Sequence, residues 1–120
     1  MLNLDTHILL FALRGTLSSK EEKILSTHQW SISAIVLWEI AKLSQLKRIN
    51  IDLNDSETIR TLTKIHTWPL DLKICQVIEK LDFLGDPADE MIAATSIVHQ
   101  VPLLTRDKRI LKSKIVPFAI

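Results

Sequence analysis

The sequence predicts an α/β fold in which a mainly parallel central sheet carries helices on both faces. Short strand-like segments alternate with helical segments of ten or more residues, the pattern of parallel strands joined by right-handed crossovers. At 120 residues and 47% hydrophobic content, the chain is long enough to bury a real core. No internal repeat or linker divides it, so we expect a single domain over residues 1–120.

The first half of the chain predicts two strands and three helices. In order, these are a strand over 1–5, a helix over 6–13, a short amphipathic helix from 19, a strand over 29–33 and a helix over 34–46. Gly15 supplies a stop for the first helix. Ser19 and Glu22 form a capping-box pattern for the second helix, and Ser33 can cap the third.

The second half predicts three more helices between short strands. In order, these are a helix from 54 to 66, a strand over 68–70, helices over 72–83 and 87–99, a strand over 101–105 and an edge strand over 114–118. Asn54 with Glu57 forms another capping box. Asp71 can cap the next helix, and Asp86 followed by Pro87 is a cap with proline at the first helical position.

Composition excludes several classes of protein. The 15 basic and 14 acidic residues give a net charge of +1, which does not favour binding to nucleic acid by bulk charge. The longest apolar runs, 8–13 and 34–38, are far shorter than the ~20 residues that span a bilayer, and no secretory signal is visible. One cysteine, Cys75, excludes an internal disulfide, and we expect it to be buried. A cytoplasmic protein without membrane association is the expectation.

Glu39 is the most unusual acidic residue. It interrupts a segment that is apolar almost all the way round at helical spacing. An ionised carboxylate there has to be paired, protonated or bound to a cation. The alternative is that Glu39 reaches solvent beside Lys42 and Lys47.

Three further acids lie outside the carboxyl ends of predicted strands, or at the start of a helix, where parallel sheets place their ligand sites. Asp5 follows the first strand, although an aspartate there also commonly caps a helix. Asp89 begins an apolar helix whose dipole favours the ionised form. Asp107 follows the strand over 101–105. We expect the remaining acids, Glu21 among them, to be surface or capping charges.

The four candidate acids would repel one another if nothing positive lay between them. Ligands that are all oxygen select Mg²⁺ or Mn²⁺. Such ions activate water and stabilise a phosphodiester that undergoes in-line displacement. The residues therefore predict a divalent-metal site, although any domain of this size contains many acids.

Basic and aromatic residues near these acids have two interpretations each. Five cations occupy nine residues in the segment 106–114, where Arg106, Lys108 and Arg109 could hold phosphates or form a solvated turn. His7 could contact substrate or cap the first helix. The tryptophans fall on apolar positions, so we expect all three, Trp30, Trp38 and Trp68, to pack in the core.

The four acid-bearing motifs match one family in order and at typical separations. They are Leu4-Asp-Thr-His7 with Ile8-Leu-Leu10, Ser31-Ile-Ser33 through Leu37-Trp-Glu-Ile-Ala41, Asp86-Pro-Ala-Asp89 with Ile92-Ala-Ala94, and Leu104-Thr-Arg-Asp107. Over nearly its whole length the chain resembles the PIN-domain ribonucleases and, among them, the VapC-type toxins of bacterial and archaeal toxin–antitoxin systems.

The resemblance implies a three-layer α/β/α fold, commonly homodimeric, that cleaves RNA with Mg²⁺ or Mn²⁺ and is blocked by a cognate antitoxin. It implies a metal site formed by four acids, Asp5, Glu39, Asp89 and Asp107. The hydroxyls of Thr6 and Thr105 would orient these carboxylates.

The sequence also departs from the family pattern near the third acid. Related toxins often carry His-Arg where this chain has Leu84-Gly85, and Arg where it has Glu90. The loss of these cations would weaken RNA binding or shift its preference.

Two other functions remain open from the sequence. A phosphoacceptor receiver domain has about this length and places acids, a threonine and a lysine at strand ends, but Asp5 lacks the adjacent acidic partner of such a domain. A catalytically silent PIN-like binding module is the second alternative, and the departures at 84, 85 and 90 support it.

Overall fold

The computed structural model describes residues 1–120 and contains one parallel four-stranded sheet flanked by helices. The strands are β1 (Leu2–Leu4), β2 (Trp30–Ser33), β3 (His66–Trp68) and β4 (Leu103–Leu104). The helices are α1 (Thr6–Arg14), α2 (Ser19–Ser26), α3 (Ala34–Gln45), α4 (Ser56–Thr63), α5 (Leu72–Ile78), α6 (Pro87–His99) and α7 (Lys108–Leu111). The predicted α/β fold with a parallel sheet is confirmed.

The sheet has the order β3-β2-β1-β4, and β1 lies in its interior. Asn3 of β1 is opposite Ser31 of β2 and Leu103 of β4. The backbone N–H of Asp5 also donates to the carbonyl of Leu104, at 3.1 Å. Because all four strands are parallel, their carboxyl ends meet at one edge, which the segments after β1 and β4 share.

A core of 16 buried apolar residues joins the sheet to its helices. Leu4, Ile8, Ile40 and Ile92 are all fully buried within it. Asn3 is a fully buried polar residue beside this core, and its side-chain amide donates to the carbonyl of Ile92 and to Ser96 Oγ. These bonds fix α6 against β1, and so fix the start of α6 relative to the end of β1.

Two predicted helix caps are displaced by one residue. The capping box of α2 uses Ser18 and Glu21, each side chain accepting from the other residue's backbone N–H. The cap of α4 is Asp55, whose carboxylate accepts from the backbone N–H groups of Glu57 and Thr58. Gly15 ends α1 as predicted, with a φ of 71° that favours glycine.

Several predicted elements are shorter or shifted. The helix predicted over 54–66 covers Ser56–Thr63, and the strand predicted over 101–105 covers Leu103–Leu104. β3 lies at 66–68 rather than 68–70, and the expected edge strand is reduced to one bridge between Leu103 and Phe118. The helix predicted over 72–83 ends at Ile78. The Asp82 carboxylate beyond it accepts hydrogen bonds from Ser113 Oγ and the N–H of Lys114, which holds this segment against the C-terminal part of the chain.

Two side chains that were expected in the core are exposed. Val36 and Ile40 form the buried face of α3, so Trp38 lies on the opposite side of the helix and is 57% exposed. Ile74 is the buried residue of α5, and the neighbouring Cys75 is exposed. Trp30 and Trp68 are half-buried. None of the seven helices combines the length and apolar character needed to cross a bilayer.

Candidate active site

Thr6 joins two of the candidate acids. Its backbone N–H donates to Asp5 Oδ1 at 2.7 Å, and its hydroxyl donates to Glu39 Oε1. Asp5 is therefore both the N-cap of α1 and a member of this cluster. Glu39 reaches it from the second turn of α3, so the carboxylate that interrupts the apolar helix is partly buried against α1 rather than free in solvent.

Thr105 extends the connection to a third acid. Its hydroxyl donates to Asp5 Oδ2 at 2.6 Å and accepts from the backbone N–H of Asp107 at 3.0 Å. Asp107 in turn caps α7, with Oδ1 accepting from the N–H groups of Arg109 and Ile110. The hydrogen bonds thus run continuously from Glu39 through the two threonines and Asp5 to Asp107.

Asp89 belongs to the same cluster through its charge environment. Burial, and then the nearby negative charges of Asp5, Asp107, Asp86 and Glu39, raise the pKa of Asp89 from 3.8 to about 6. Its carboxylate accepts no hydrogen bond from the protein. The third predicted acid therefore lies close enough to the other three for their charges to act on it, although the α6 segment that carries it is remote from them in sequence.

The charge of this cluster is not neutralised by the protein. The chain contains one ion pair within 4 Å, between Arg106 and Glu21, so none of the four acids has a basic partner. No three His, Cys, Asp or Glu side chains converge closely enough to hold one metal ion as they stand. In donor type the cluster suits a hard divalent cation, because it offers carboxylate oxygens with uncompensated negative charge.

Arg106 has a partner that the sequence did not indicate. Its guanidinium donates to both oxygens of Glu21, from Nε at 2.7 Å and Nη2 at 2.5 Å, and lies 4.2 Å from the ring centre of Phe11. The hydrogen bonds from Arg106 lower the pKa of Glu21 to about 2. Glu21, expected to be an ordinary surface charge, is buried and anchors the loop that contains Thr105 and Asp107.

The other predicted substrate contacts lie at the surface. Lys108 and Arg109 are exposed in the first turn of α7, beside Asp107. His7 is exposed, and its ring centre is 6.5 Å from that of Phe11. It does not cap α1, because Asp5 does so.

One residue near the site, Asn3, was not identified from the sequence, and the side-chain cap predicted at Asp86 does not form. Asn3 fixes the position of α6, and the signal that could have found it is a polar side chain on the inward face of a buried strand. Asp86 occupies the N-cap position of α6, but its side chain makes no capping hydrogen bond, so its carboxylate is free. Among the family departures, Glu90 Oε2 accepts from the N–H of Gly85 at 3.3 Å.

Solved structures with the same fold include chains of toxin–antitoxin complexes. VapBC2 from Rickettsia felis, bound to a DNA fragment from their promoter, matches with a TM-score of 0.72 at 18% identity, covering 98% of this chain and 97% of that chain. A toxin–antitoxin complex from Klebsiella pneumoniae matches at 0.69 and 19% identity, covering 93% and 91%. FitAcB from Neisseria gonorrhoeae matches at 0.66 and 21%, covering 92% and 90%. No curated protein matches the sequence.

The strand order separates this fold from that of a receiver domain. Receiver domains follow the doubly wound order 2-1-3-4-5, in which β1 lies between β2 and β3. Here β1 lies between β2 and β4. The family model described as PIN domain matches residues 3–115, which include all four candidate acids. The chain belongs to the PIN domain family.

Proposed function

We propose that this protein is a VapC-type toxin that hydrolyses RNA phosphodiester bonds with Mg²⁺ or Mn²⁺. The observation that carries the proposal is the cluster of four carboxylates, three of them joined by hydrogen bonds, without any basic partner. It lies at the carboxyl edge of a parallel sheet, where this class of fold binds ligands. Membership of the PIN family supports nuclease chemistry at this site.

Each acid has a role in the proposal. Asp5, Glu39 and Asp89 hold the principal ion, and Asp107 completes the site or holds the attacking water. Bound metal supplies an activated water and stabilises charge on the phosphodiester. The oxygens that accept nothing from the protein, Oε2 of Glu39, Oδ2 of Asp107 and both of Asp89, are the ones available for these tasks.

Thr6 and Thr105 position the carboxylates. The Thr6 hydroxyl donates to Glu39, and the Thr105 hydroxyl donates to Asp5 while it accepts from the backbone N–H of Asp107, so the two hydroxyls restrict the rotamers of Glu39 and Asp5. Hydrogen bonds of this kind keep the metal-binding carboxylates oriented even when no ion is bound. The exposed cations Lys108 and Arg109 are proposed to contact phosphates that flank the scissile bond.

The partners of the proposed toxin are a cognate antitoxin and a second copy of the chain, in the cytoplasm. The antitoxin is supported by the toxin–antitoxin complexes among the structures with this fold. For the homodimer we propose the surface around α5, where Leu72 is 73% exposed and Leu84 beyond it is 88% exposed.

The test is cleavage of total cellular RNA with the ends mapped by sequencing. Purified protein in Mn²⁺ or Mg²⁺ is compared with the same protein in chelator and with Asp5→Asn and Asp89→Asn. Asparagine also serves as an N-cap, so Asp5→Asn keeps α1 capped. The exposed Asp52→Asn is the matched control. We expect discrete, metal-dependent cuts by the wild type and the control only.

Two outcomes would contradict the proposal. Cleavage that survives in folded Asp5→Asn and Asp89→Asn would remove these acids from the reaction. Metal binding without any cleavage would favour the silent binding module that the departures at 84, 85 and 90 suggest.

A further inference from the structure

We propose that a cleft beside the acidic cluster binds one nucleobase of the substrate, stacked on Trp38 and selected by Asp86 in favour of guanine. This inference rests on the function proposed above, because it assigns a base-binding subsite to the same enzyme. The cleft lies between the N-terminal halves of α3 and α6 and has a volume of about 460 Å³. Its lining residues are Ile35, Trp38, Glu39, Asp86, Pro87, Ala88 and Met91.

The position of the cleft ties it to the reaction. Glu39 contributes to both, since it lines the cleft and accepts from the Thr6 hydroxyl within the acidic cluster. Asp86 lies three residues before Asp89 and is close enough for its charge to act on that acid. A nucleotide whose phosphate lies at the carboxylates therefore has its own base, or the adjacent one, within reach of this cleft.

Trp38 provides a face on which a base can stack. It is 57% exposed although most of its neighbours in the segment are apolar, and no aromatic ring of the protein stacks on it. Single-stranded RNA is recognised mainly through unstacked bases on aromatic side chains, and every base has a suitable face. Ile35, Pro87 and Met91 supply the apolar surroundings of such a stack.

Asp86 supplies the selectivity. Its side chain does not cap α6, so both carboxylate oxygens are free at the wall of the cleft. A carboxylate accepts hydrogen bonds only, and guanine presents two adjacent donors, N1–H and the N2 amino group, on its Watson–Crick edge. Uracil presents a single N–H between two carbonyl oxygens, which a carboxylate repels. The wall therefore favours guanine over uracil.

Binding without turnover tests this proposal separately from cleavage. The probes are two short, labelled single-stranded RNAs, an oligouridine and the same oligomer with one central guanosine, titrated in chelator at low salt. We expect the guanosine-containing RNA to bind more tightly. Trp38→Ala should weaken its binding by about 5- to 150-fold, the range of base–aromatic stacking, while Trp38→Phe keeps most of the affinity.

Matched variants separate stacking from selection. Asp86→Asn can still occupy an N-cap position and should reduce the preference for guanosine, because one acceptor is replaced by a donor. Leu46→Ala, at the end of the same helix and 59% exposed, should leave both affinities unchanged. Circular dichroism verifies that each variant is folded. When cellular RNA is cleaved in Mn²⁺, the cut sites of the wild type should be enriched for guanosine. The cut sites of Asp86→Asn should lack this enrichment.

The failures of the two proposals are distinguishable. If Trp38→Ala binds both RNAs as the wild type does and cuts at the same positions, the base subsite is overturned while the nuclease stands. If RNA binds through Trp38 but no condition yields cleavage, the subsite stands and the nuclease is overturned. If Trp38→Ala changes only the sedimentation of the protein or the capture of a partner polypeptide, the cleft is a protein interface and the base subsite is overturned.

Discussion

At the scale of single residues, Asp89 lowers the stability of the metal-free fold and is also a proposed metal ligand. Burial and the surrounding carboxylates raise its pKa to about 6, so the folded state disfavours the ionised form. An acid whose pKa is raised on folding leaves stability intact below its unfolded pKa of 3.8. Stability then falls as the pH rises towards 6, and the full penalty applies above that. At neutral pH the metal-free protein therefore carries a charge that works against its fold.

Asp89→Asn should stabilise the metal-free protein at neutral pH while abolishing cleavage. We expect a gain of roughly 1–2 kcal/mol, because one pKa unit is worth about 1.4 kcal/mol and solvent screening reduces the full value. The measurement is urea unfolding in chelator at neutral pH and again near pH 4, where the gain should disappear. The exposed Glu79→Gln should change stability little at either pH. A destabilised Asp89→Asn would contradict the proposed repulsion.

Thr105→Val should weaken metal binding without changing the ligand set. The substitution keeps the shape but leaves Asp5 Oδ2 and the N–H of Asp107 without their shared partner. Loss of such an orienting group typically reduces metal affinity or activity about 10- to 100-fold. Calorimetric titration with Mn²⁺ measures it, and Thr105→Ser, which retains the hydroxyl, should be close to the wild type. Equal loss in both variants would assign the effect to packing.

At the scale of elements, α2 holds the loop that follows β4. The Glu21–Arg106 pair lowers the pKa of Glu21 to about 2, so this acid contributes stability that is present above its unfolded pKa of 4.5 and is lost as the pH falls towards 2. Arg106 is flanked by Thr105 and Asp107, both in the acidic cluster. Protonation of Glu21 at low pH therefore weakens the contact between α2 and the loop that positions Thr105 and Asp107 in the acidic cluster.

Glu21→Gln should destabilise the protein at neutral pH and flatten its stability between pH about 4.5 and 2. The expected loss at neutral pH is about 1–2 kcal/mol, the lower part of the range for hydrogen bonds to charged groups, since Arg106 is partly exposed. Urea unfolding over this pH range measures both effects. Glu22→Gln, its exposed neighbour, is the control, and an identical pH slope in wild type and Glu21→Gln would refute this pH dependence of the Glu21–Arg106 contact.

The elements were largely predictable, and their boundaries less so. Alternation of strand and helix segments indicated the parallel sheet, because the period of apolar residues is a local property. The cap of α2 was misplaced by one residue because Ser18 with Glu21 and Ser19 with Glu22 both have the capping-box spacing, and the local pattern does not choose between them; Glu21 also binds Arg106, which lies 85 residues away. The end of α5 depends on Asp82 binding the segment at 113–114. Such long-range contacts leave no local pattern.

The candidate site was accessible from the sequence for a different reason. Carboxylates in apolar surroundings are costly, so Glu39 and Asp89 stood out individually, and the topology rule brings their segments to one edge. What could not be inferred is which polar groups join them. Arg106 was predicted either to contact phosphates or to lie in a solvated turn, yet its guanidinium is bound to Glu21. Trp38 was predicted to lie in the core. A helix that is apolar on nearly all sides does not reveal from its sequence which side packs against the sheet.

At the scale of the whole molecule, divalent metal should stabilise the fold. A ligand at 100 times its dissociation constant adds about 2.7 kcal/mol, which for a chain of this size raises Tm by on the order of 10 °C. Differential scanning fluorimetry with Mn²⁺ measures the shift. It should be present in Asp52→Asn and strongly reduced in Asp5→Asn. An undiminished shift in Asp5→Asn would place the bound ion elsewhere.

The proposed homodimer gives a second prediction at this scale. A charge at the exposed apolar surface around α5 should dissociate it, so Leu72→Asp is expected to sediment as a monomer. Leu46→Asp introduces the same charge at a position of similar exposure outside that surface and should leave the dimer intact. Analytical ultracentrifugation at several concentrations distinguishes the two. Monomeric wild type would contradict the homodimer.

The strand order also determines when the site can exist during synthesis of the chain. β1 leaves the ribosome first, but its second neighbour, β4, follows about a hundred residues later, and Asp107 comes after that. A nascent chain that has exposed Asp5, Glu39 and Asp89 therefore still lacks the strand and the threonine that hold Asp5 in place. Assembly of the acidic cluster has to wait for nearly the last segment to emerge. On the proposed function, a growing chain is therefore inert towards the RNA and the ribosome around it, and the proposed antitoxin can be made before the toxin becomes active.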